Sequence, residues 1–368
     1  MSANRYEHGK RFDKLFPTTC SFVVFLAYMA LFINQGIVVT ASQRADNSYS
    51  YNTVTVVLLT EATKLVASLL IYLKDNKLST LFTDIRTNIR VLGLYMVPAL
   101  LYCLYNNLAF VNLAVFDPTT YFLLLQLRVV VTGVIFQVIF KKQLSKRQWV
   151  SLIILTIGCI VKQLSTSKKT DLSPTESDVP FSVMLSNLAS LHTGLLLVQV
   201  FCSCLAGVYN EKLLKDTGAE VHIMVQNVFM NINSIICNAV VLLYRGELIS
   251  AFSTTSLSQV WQPVVVVIIL NNAAVGIVTC FFLRNLNSIL KTFASALELM
   301  FTAVLSWVIF GIAVNWWTAV AIALVIFATY MYAQNPVVNR GRLDELEKDT
   351  SSEPEGLTLI KNVPPTNV

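Results

Sequence analysis

The chain has 368 residues, of which 55% are hydrophobic and 13% are charged, and its mean hydropathy is +0.63. This composition excludes an ordinary water-soluble globular domain and indicates a membrane protein. The net charge of +6 could serve nucleic-acid binding, but membrane proteins also gather Lys and Arg on their cytoplasmic loops, and we prefer that interpretation.

Ten apolar stretches are long enough to cross a bilayer as helices, each of which needs about 20 residues. Such runs lack the alternation of a membrane β-barrel. The predicted spans are Cys20–Ala41, Thr53–Leu73, Val91–Leu113, Thr119–Phe140, Trp149–Val161, Thr193–Tyr209, Met224–Leu243, Val264–Phe282, Thr292–Ile312 and Trp316–Tyr332. Polar residues such as Gln199 make the fifth and sixth look short, and we expect both to extend into their flanks. The sequence therefore predicts an all-α membrane protein with ten transmembrane helices.

Basic residues are distributed unevenly between the two ends of this predicted bundle. With ten spans, both tails and the connections after the second and fourth spans lie on one side, and they hold most of the Lys and Arg. The opposite side holds sparse positives such as Arg44, Lys168, Lys169 and Arg245. The positive-inside rule places the rich side, and both termini, in the cytosol.

A polar segment rich in Ser, Thr and Pro divides the chain into halves of five predicted spans. Val138-Ile139-Phe140 in the first half recurs as Val308-Ile309-Phe310 in the second, an offset of 170 residues (308 − 138). Because each half has an odd number of spans, the second half is inverted in the membrane. This organisation is typical of transporters built from inverted repeats, which bind their substrate near the midplane.

Five ionisable residues lie inside the predicted spans: Glu61, Lys64, Arg128, Lys291 and Glu298. A charge at membrane depth costs a few kcal/mol, so such residues indicate function by default. Glu61 and Lys64 are one turn apart and can pair, and the 170-residue offset places Arg128 over Glu298. A structural alternative is that these are ion pairs that only orient helices.

Arg128 and Lys291 have no opposite charge at the neighbouring helical positions. An unpaired cation is costly in lipid, so we expect a cavity that binds an anion. Phosphate suits the bidentate guanidinium and the compact ammonium. Amides and tyrosines in both halves favour a ligand that also has hydroxyls and a ring, although any single amide can be an interhelical contact. These residues are Tyr102, Tyr105, Asn106, Asn107, Tyr121 and Gln126, followed by Gln226, Asn227, Asn271 and Asn272.

The sequence resembles the nucleotide-sugar transporters of the Golgi and endoplasmic reticulum, in particular the CMP-sialic acid, UDP-galactose and UDP-N-acetylglucosamine group. The resemblance spans nearly the whole bundle. It rests on Thr60-Glu61-Ala62-Thr63-Lys64-Leu65, Tyr105-Asn106-Asn107-Leu108-Ala109-Phe110, Tyr121, Gln126-Leu127-Arg128, Leu144-Ser145-Lys146-Arg147-Gln148-Trp149, Ala206-Gly207-Val208-Tyr209-Asn210-Glu211-Lys212 and Asn287-Ser288-Ile289-Leu290-Lys291-Thr292-Phe293.

This resemblance implies the drug/metabolite transporter fold and the exchange of a luminal nucleoside monophosphate for a cytosolic nucleotide sugar, with no cofactor. It implies that Lys64, Asn106 and Tyr121 line the nucleotide end of the cavity, and that Arg128 and Lys291 lie toward the phosphates. The other candidate substrate-binding residues are Glu61, Asn107, Gln126, Tyr209, Asn272 and Ser288. Better-known members have Lys at the Arg128 position and Asp-Asn at Asn287-Ser288, so the base and sugar stay open and a divergent UDP-sugar transporter is our preferred assignment.

Two other functions stay open. A proton-coupled drug or metabolite exporter of the same fold would use Glu61 or Glu298, and a scaffold for glycosyltransferases would not transport at all. An enzyme is disfavoured because no Ser/His/Asp, Cys/His or metal constellation is visible, and the seven cysteines show no CxxC spacing.

The predicted organisation is a cytosolic N-terminal tail (1–17), a first five-helix repeat (18–164), a luminal linker (165–188), a second five-helix repeat (189–334) and a disordered cytosolic tail (335–368). We expect residence in the Golgi membrane, with the endoplasmic reticulum as the alternative. The expected partners are the nucleotide sugar, the nucleoside monophosphate and membrane lipid, but no nucleic acid. A homodimer and complexes with related transporters or glycosyltransferases are further expectations.

Overall fold

The computed structural model describes residues 15–42, 51, 53–113, 116, 118–170, 191–310, 315–339 and 342, and these contain helices and no strand. Ten helices in this part of the chain are long and apolar enough to cross a membrane, which confirms the predicted all-α, ten-span architecture. The spans are α1 (Thr19–Ser42), α2 (Thr53–Asp75), α3 (Ile89–Leu94 and Met96–Leu113), α4 (Pro118–Leu125 and Arg128–Phe140), α5 (Lys146–Thr170), α6 (Leu191–Lys212), α7 (Ile223–Arg245), α8 (Pro263–Asn285), α9 (Ser288–Phe310) and α10 (Trp316–Gln334). Short helices at Leu78–Thr87, Leu248–Ala251 and Thr254–Val260 lie in the connections.

The fifth and sixth spans extend beyond their apolar cores, as expected from the sequence. Helix α5 continues to Thr170, so residues 165–170, which we predicted to begin a linker, are helical. The rest of that predicted linker, up to residue 188, lies outside the described residues. Helix α6 continues into one π-helical turn, Leu213–Thr217.

The 170-residue offset also relates the boundaries of the helices. Helices α5 and α10 begin 170 residues apart, at Lys146 and Trp316, and helices α2 and α7 end 170 residues apart, at Asp75 and Arg245. The offset found from a short apolar match therefore also relates helix boundaries in the two halves of the chain.

The contacts between helices in the first half of the chain also have counterparts in the second half. Helix α3 packs against α6 and α7, as α8 packs against α1 and α2, while α4 packs against α6 as α9 packs against α1. The result is an α3/α4/α6/α7 bundle and an α1/α2/α8/α9 bundle, which meet at α2 with α7 and at α4 with α9. Helices α5 and α10 pack on each other at the side. Each bundle therefore takes helices from both halves of the sequence.

The two ends of the protein differ in charge and in aromatic content. We call one end the basic end, because α2, α4, α6, α8 and α10 end there in connections that carry most of the described Lys and Arg, including Lys74, Arg90, Lys142, Arg147 and Arg284. The exposed aromatic residues at the opposite end include Tyr244, Trp261, Trp316 and Trp317. Exposed Trp and Tyr of this kind are typical of the membrane–water interface.

After α10 the chain folds back across the basic end in a segment that we call the C-terminal strap, residues 335–339. Gln148 Nε2 donates to the carbonyl of Asn335 at 2.8 Å, and Asn287 Nδ2 donates to that of Val337 at 2.7 Å. The prediction of a disordered tail from residue 335 is therefore wrong for the strap, since polar side chains on α5 and before α9 bind its backbone. Residues 340, 341 and 343–368 of that tail lie outside the described residues.

A close crossing of α5 and α10 gives a direct test of this packing. A Cβ on Gly158 would lie 3.0 Å from Val325 Cγ2 and 3.2 Å from Leu324 Cβ. Gly158→Ala should therefore push the helices apart and cost about 1–3 kcal/mol of stability, measured by thermal unfolding in detergent. Gly93→Ala is the control because nothing lies within 4 Å of its Cβ position, and equal losses in both variants would contradict the crossing.

Candidate functional site

Arg128 and Lys291 lie on two helices that meet between the bundles. Arg128 begins the second segment of α4, Lys291 lies in the first turn of α9, and these two helices pack together. The two charges are within electrostatic range of each other. Within the described part of the chain, neither the guanidinium nor the ammonium forms an ion pair or a hydrogen bond. Two cations that approach each other without an ion-pair partner are a candidate site for an anion.

Glu298 lies two turns beyond Lys291 on α9 and forms no ion pair with either cation. Its Oε1 accepts a hydrogen bond from Thr302 Oγ1 at 3.2 Å. Arg128 is within electrostatic range of Glu298, but the described residues contain no Arg128–Glu298 ion pair within 4.0 Å. A helix-orienting Arg128–Glu298 ion pair is therefore not formed in this conformation.

Helix α4 is interrupted next to Arg128. The backbone N–H groups of Gln126 and Leu127 donate to carbonyls only three residues earlier, both at 3.1 Å. Gln126 Nε2 donates to the carbonyl of Phe122 at 3.1 Å, so this predicted substrate ligand uses its amide group at the break. The second segment of α4 starts at Arg128, and its positive dipole end adds to the positive charge there.

Tyr121 is held by a buried hydrogen-bond network that joins α3, α4 and α6. Gln199 Nε2 donates to the Tyr121 hydroxyl at 2.8 Å, and Asn112 Nδ2 donates to Gln199 Oε1 at 2.7 Å. Gln199 and Asn112 are completely buried. From the sequence, Gln199 only shortens an apolar span and Asn112 has no assigned role. The sequence feature that could have identified both residues is an amide side chain within an apolar helix, because a buried amide often forms a hydrogen bond to a neighbouring helix.

This network predicts the effect of removing its central amide. Gln199→Leu leaves the Asn112 amide and the Tyr121 hydroxyl without partners, which should cost about 1–3 kcal/mol of stability and lower substrate affinity. Gln143→Leu is the control because Gln143 is exposed at the basic end. Thermal unfolding and substrate competition measure both variants, and a Gln199→Leu protein as stable as the control would contradict the network.

One further tyrosine lies near Arg128, a second lies near that tyrosine, and a third lies near the second. Tyr28 on α1 is within electrostatic range of Arg128 and Tyr102, and Tyr102 is within range of Tyr105. Tyr28 has no role in the sequence-based prediction, because a single tyrosine in an apolar run does not differ from a core residue. In the structure, the Tyr28 side chain brings an aromatic ring of the α1/α2/α8/α9 bundle near Arg128.

The two neighbouring amides of α3 differ in availability. Asn106 is exposed and lies one turn after Tyr102, on the same side of the helix. Asn107 Nδ2 donates to the carbonyl of Cys103 at 2.8 Å. Asn106 is therefore free to reach a ligand, whereas Asn107 is bound to its own helix.

Glu61 and Lys64 form the predicted ion pair, with Lys64 Nζ 2.6 Å from Glu61 Oε1. Both side chains are mostly buried where α2 meets α8, and a Cβ on Gly276 would collide with the stem of Lys64. Glu61 Oε2 and Asn272 Oδ1 are buried without a hydrogen-bond partner among the described residues. Helices α2 and α8 therefore carry one cation that is already paired, Lys64, and two buried oxygen atoms, Glu61 Oε2 and Asn272 Oδ1, that have no donor among the described residues.

Two predicted residues lie toward the basic end. Tyr209 packs against the hydrophobic cluster that contains Tyr72 and Tyr95. The backbone N–H and Oγ of Ser288 both donate to Glu211 Oε2, at 2.7 and 2.6 Å. The hydroxyl of Ser288 is thus committed to a carboxylate, and we leave Ser288 out of the proposed substrate site.

A bundle of ten candidate membrane spans, whose packing contacts recur in the two halves of the chain, is typical of transporters built from inverted repeats. Residues 18–333 match the family model described as nucleotide-sugar transporter. The chain belongs to the nucleotide-sugar transporter family.

Three relatives and one solved structure illustrate this assignment. "UDP-galactose transporter senju" of Drosophila melanogaster is 57% identical over 90% of this chain and 91% of its own length. "CMP-sialic acid transporter 3" of Oryza sativa subsp. indica is 30% identical over 84% and 76%. "UDP-N-acetylglucosamine/UDP-N-acetylgalactosamine transporter nstp-4" of Caenorhabditis elegans is 29% identical over 65% and 68%. A crystal structure at 13% identity superposes with a TM-score of 0.57 over 86% of this chain and 96% of that one, which shows a shared fold.

Proposed function

We propose that the protein transports a UDP-sugar of the UDP-galactose or UDP-N-acetylhexosamine type. The observation that carries this proposal is the Arg128–Lys291 pair, since neither cation forms an ion pair in the described part of the chain. A diphosphate supplies the missing negative charge, with oxygens for the guanidinium fork and for the ammonium. The 57% identity to a protein named as a UDP-galactose transporter supports the choice of uridine.

The proposed site has two regions. Arg128 and Lys291 bind the phosphates, while Lys64, Asn106 and Tyr121 line the nucleotide end. Glu61 orients Lys64 through their ion pair. Asn272 offers an unused acceptor, and the tyrosines supply surfaces on which a base can stack.

Competition among nucleoside monophosphates tests the choice of base. We expect UMP to inhibit uptake of a labelled UDP-sugar into proteoliposomes more strongly than CMP or GMP. Stronger inhibition by CMP would favour a CMP-sugar instead, and no inhibition by any of the three would contradict a nucleotide site.

We propose that transport is an exchange. Without an anion, Arg128 and Lys291 leave two positive charges in membrane-spanning helices without an ion-pair partner, which disfavours reorientation of the empty carrier, whereas either a UDP-sugar or UMP neutralises them. Preloading proteoliposomes with UMP should therefore accelerate uptake of the UDP-sugar. Equal uptake with and without preload would contradict exchange.

We further propose that the basic end and both termini face the cytosol, in agreement with the positive-inside rule, and that the protein works in the Golgi membrane. The sequence halves 18–164 and 189–334 would then be the inverted repeats, and import would run from cytosol to lumen. A homodimer or a complex with a glycosyltransferase is supported by the family resemblance alone.

Proton coupling is the second candidate mechanism. Among the described residues, Glu298 has only a hydroxyl partner and Glu61 Oε2 has none, so either carboxyl group could carry a proton. An imposed pH gradient that drives uptake without UMP in the lumen would favour this mechanism over exchange.

A further inference from the structure

The end of α6 holds a buried ion pair outside the proposed substrate site. Glu211 and Lys215 are both completely buried, and Lys215 Nζ lies 3.0 Å from Glu211 Oε1. Asn339 Nδ2 of the strap also donates to Oε1, at 2.7 Å. Ser288 donates to Oε2 through its backbone N–H and its hydroxyl, at 2.7 and 2.6 Å. Each carboxylate oxygen therefore has two donors.

Lys215 is equally well satisfied. In addition to Glu211, its ammonium donates to the backbone carbonyls of Leu286 and Asn339. All three donor positions of the ammonium are used. The pair is therefore complete only while the end of α6, the α8–α9 connection and the strap stay together.

These contacts join the two helix bundles at the basic end. Helix α6 belongs to the α3/α4/α6/α7 bundle, while the α8–α9 connection belongs to the α1/α2/α8/α9 bundle. The neighbouring residues Leu213 and Leu214 on α6 and Ile289, Leu290 and Phe293 on α9 are buried as well. The basic end is thus closed in this conformation.

Glu211 also acts on the turn that carries Lys291. Its carboxylate binds the first backbone N–H of α9, and a negative charge is favourable at a helix N-terminus. Asn287 Oδ1 accepts from the backbone N–H of Leu290 at 2.7 Å. Lys291 follows directly, so its backbone position is fixed by Glu211 from the other bundle.

Substrate entry from the basic end requires the two bundles to separate there. Helices α6 and α9 then move apart, and Glu211 loses its bonds to Ser288. A buried ion pair gives little net stability, because the cost of removing both charges from water offsets their attraction. Opening rehydrates the charges, so the closed and open states can differ little in free energy.

We propose that Glu211 is a positioning residue that clamps the Lys291-bearing turn of α9 while the basic end is closed and releases it when that end opens. The Glu211–Lys215 pair then sets the balance between the two orientations of the cavity. This inference rests on the proposed transport function and on the proposed cytosolic position of the basic end.

Glu211→Gln tests the clamp, because its amide nitrogen cannot accept the bonds that one carboxylate oxygen accepts. A weaker closed state lowers the fraction of carriers that face the lumen, and binding from each side scales with the fraction open to that side. We expect the luminal KM for UMP to rise by about 5-fold and the cytosolic KM for the UDP-sugar to fall. Proteoliposomes of known orientation give both values.

Two variants control this experiment. Ser288→Ala removes one donor to Glu211 and should shift both KM values in the same directions, but less. Glu220→Gln removes an exposed carboxylate that lies 2.9 Å from Arg342 near the strap, and it should change neither value. A lower maximal rate with both KM values unchanged, or KM values that rise on both sides, would overturn the proposal.

Hydrogen exchange in nanodiscs supplies a test that needs no substrate. In the closed protein the amide of Ser288 is bonded to Glu211, so Glu211→Gln should accelerate exchange at residues 286–291 at least 5-fold more than at residues 298–305. Uniform acceleration along α9, or none, would overturn the clamp. If the wild-type protein transports no nucleotide sugar, the proposed function fails while this experiment still decides the clamp.

Discussion

Lys291→Ala should reduce nucleotide-sugar transport by about 30-fold or more without loss of folded protein. Removing a charged group that binds a buried phosphate costs at least about 2 kcal/mol of binding free energy. Lys291 has no ion-pair partner in the described part of the chain, so its removal orphans no carboxylate there and relieves its repulsion with Arg128. We therefore expect unchanged or higher thermal stability of the substrate-free protein.

Conservative replacements at the second cation serve as controls. Arg128→Lys keeps the charge and should retain most transport, in line with the Lys that the family resemblance gives for better-known members. Arg128→Ala should behave like Lys291→Ala. If both Ala variants aggregate in detergent while the Lys variant does not, Arg128 and Lys291 are structural, and the phosphate site is contradicted.

Unlike Lys291→Ala, the substitution Lys215→Met should destabilise the folded protein. The replacement leaves the carboxylate of Glu211 buried without its cation, and breaking a buried pair in this way costs about 3–5 kcal/mol. It also removes the donor to the carbonyls of Leu286 and Asn339. We expect a large fall in the midpoint of thermal unfolding.

The double variant Glu211→Gln/Lys215→Met should recover part of that stability, because no unpaired charge remains buried. Lys142→Met is the matched surface control. Lys142 is exposed and donates to Asn339 Oδ1 at 3.0 Å, so its loss should cost less than about 1 kcal/mol. Equal destabilisation by Lys142→Met and Lys215→Met would contradict the role of burial.

The number of spans could be predicted because one physical requirement dominates: a helix that crosses lipid must be apolar over about 20 residues. The interruption within α4 and the folding back of the chain after α10 could not be predicted in the same way. The interruption at Gln126 and Leu127 leaves hydropathy unchanged, and it depends on a side-chain bond to the backbone. The sequence of the strap does not show that it packs. Its packing rests on hydrogen bonds from Gln148 and Asn287 to its carbonyls and from Asn339 to Glu211.

The central cations were predictable because a charge within an apolar span is rare and costly. Glu211 and Lys215 are completely buried, but they lie at the end of a span, where charges at the water interface are ordinary. Amides were the least predictable groups. Gln126 and Asn107 bind their own helices, whereas the buried Gln199 was missed, and sequence position does not separate these cases.

Uptake of labelled UDP-galactose into UMP-preloaded proteoliposomes that contain the purified protein tests the central claim most directly. The parallel samples are protein-free liposomes and the Lys291→Ala variant at equal amounts of folded protein. We expect saturable uptake well above the protein-free background, reduced by about 30-fold or more in the variant. Uptake of UDP-galactose and UDP-N-acetylglucosamine no greater than background, or equal uptake by the variant, would contradict nucleotide-sugar transport through the Arg128–Lys291 site.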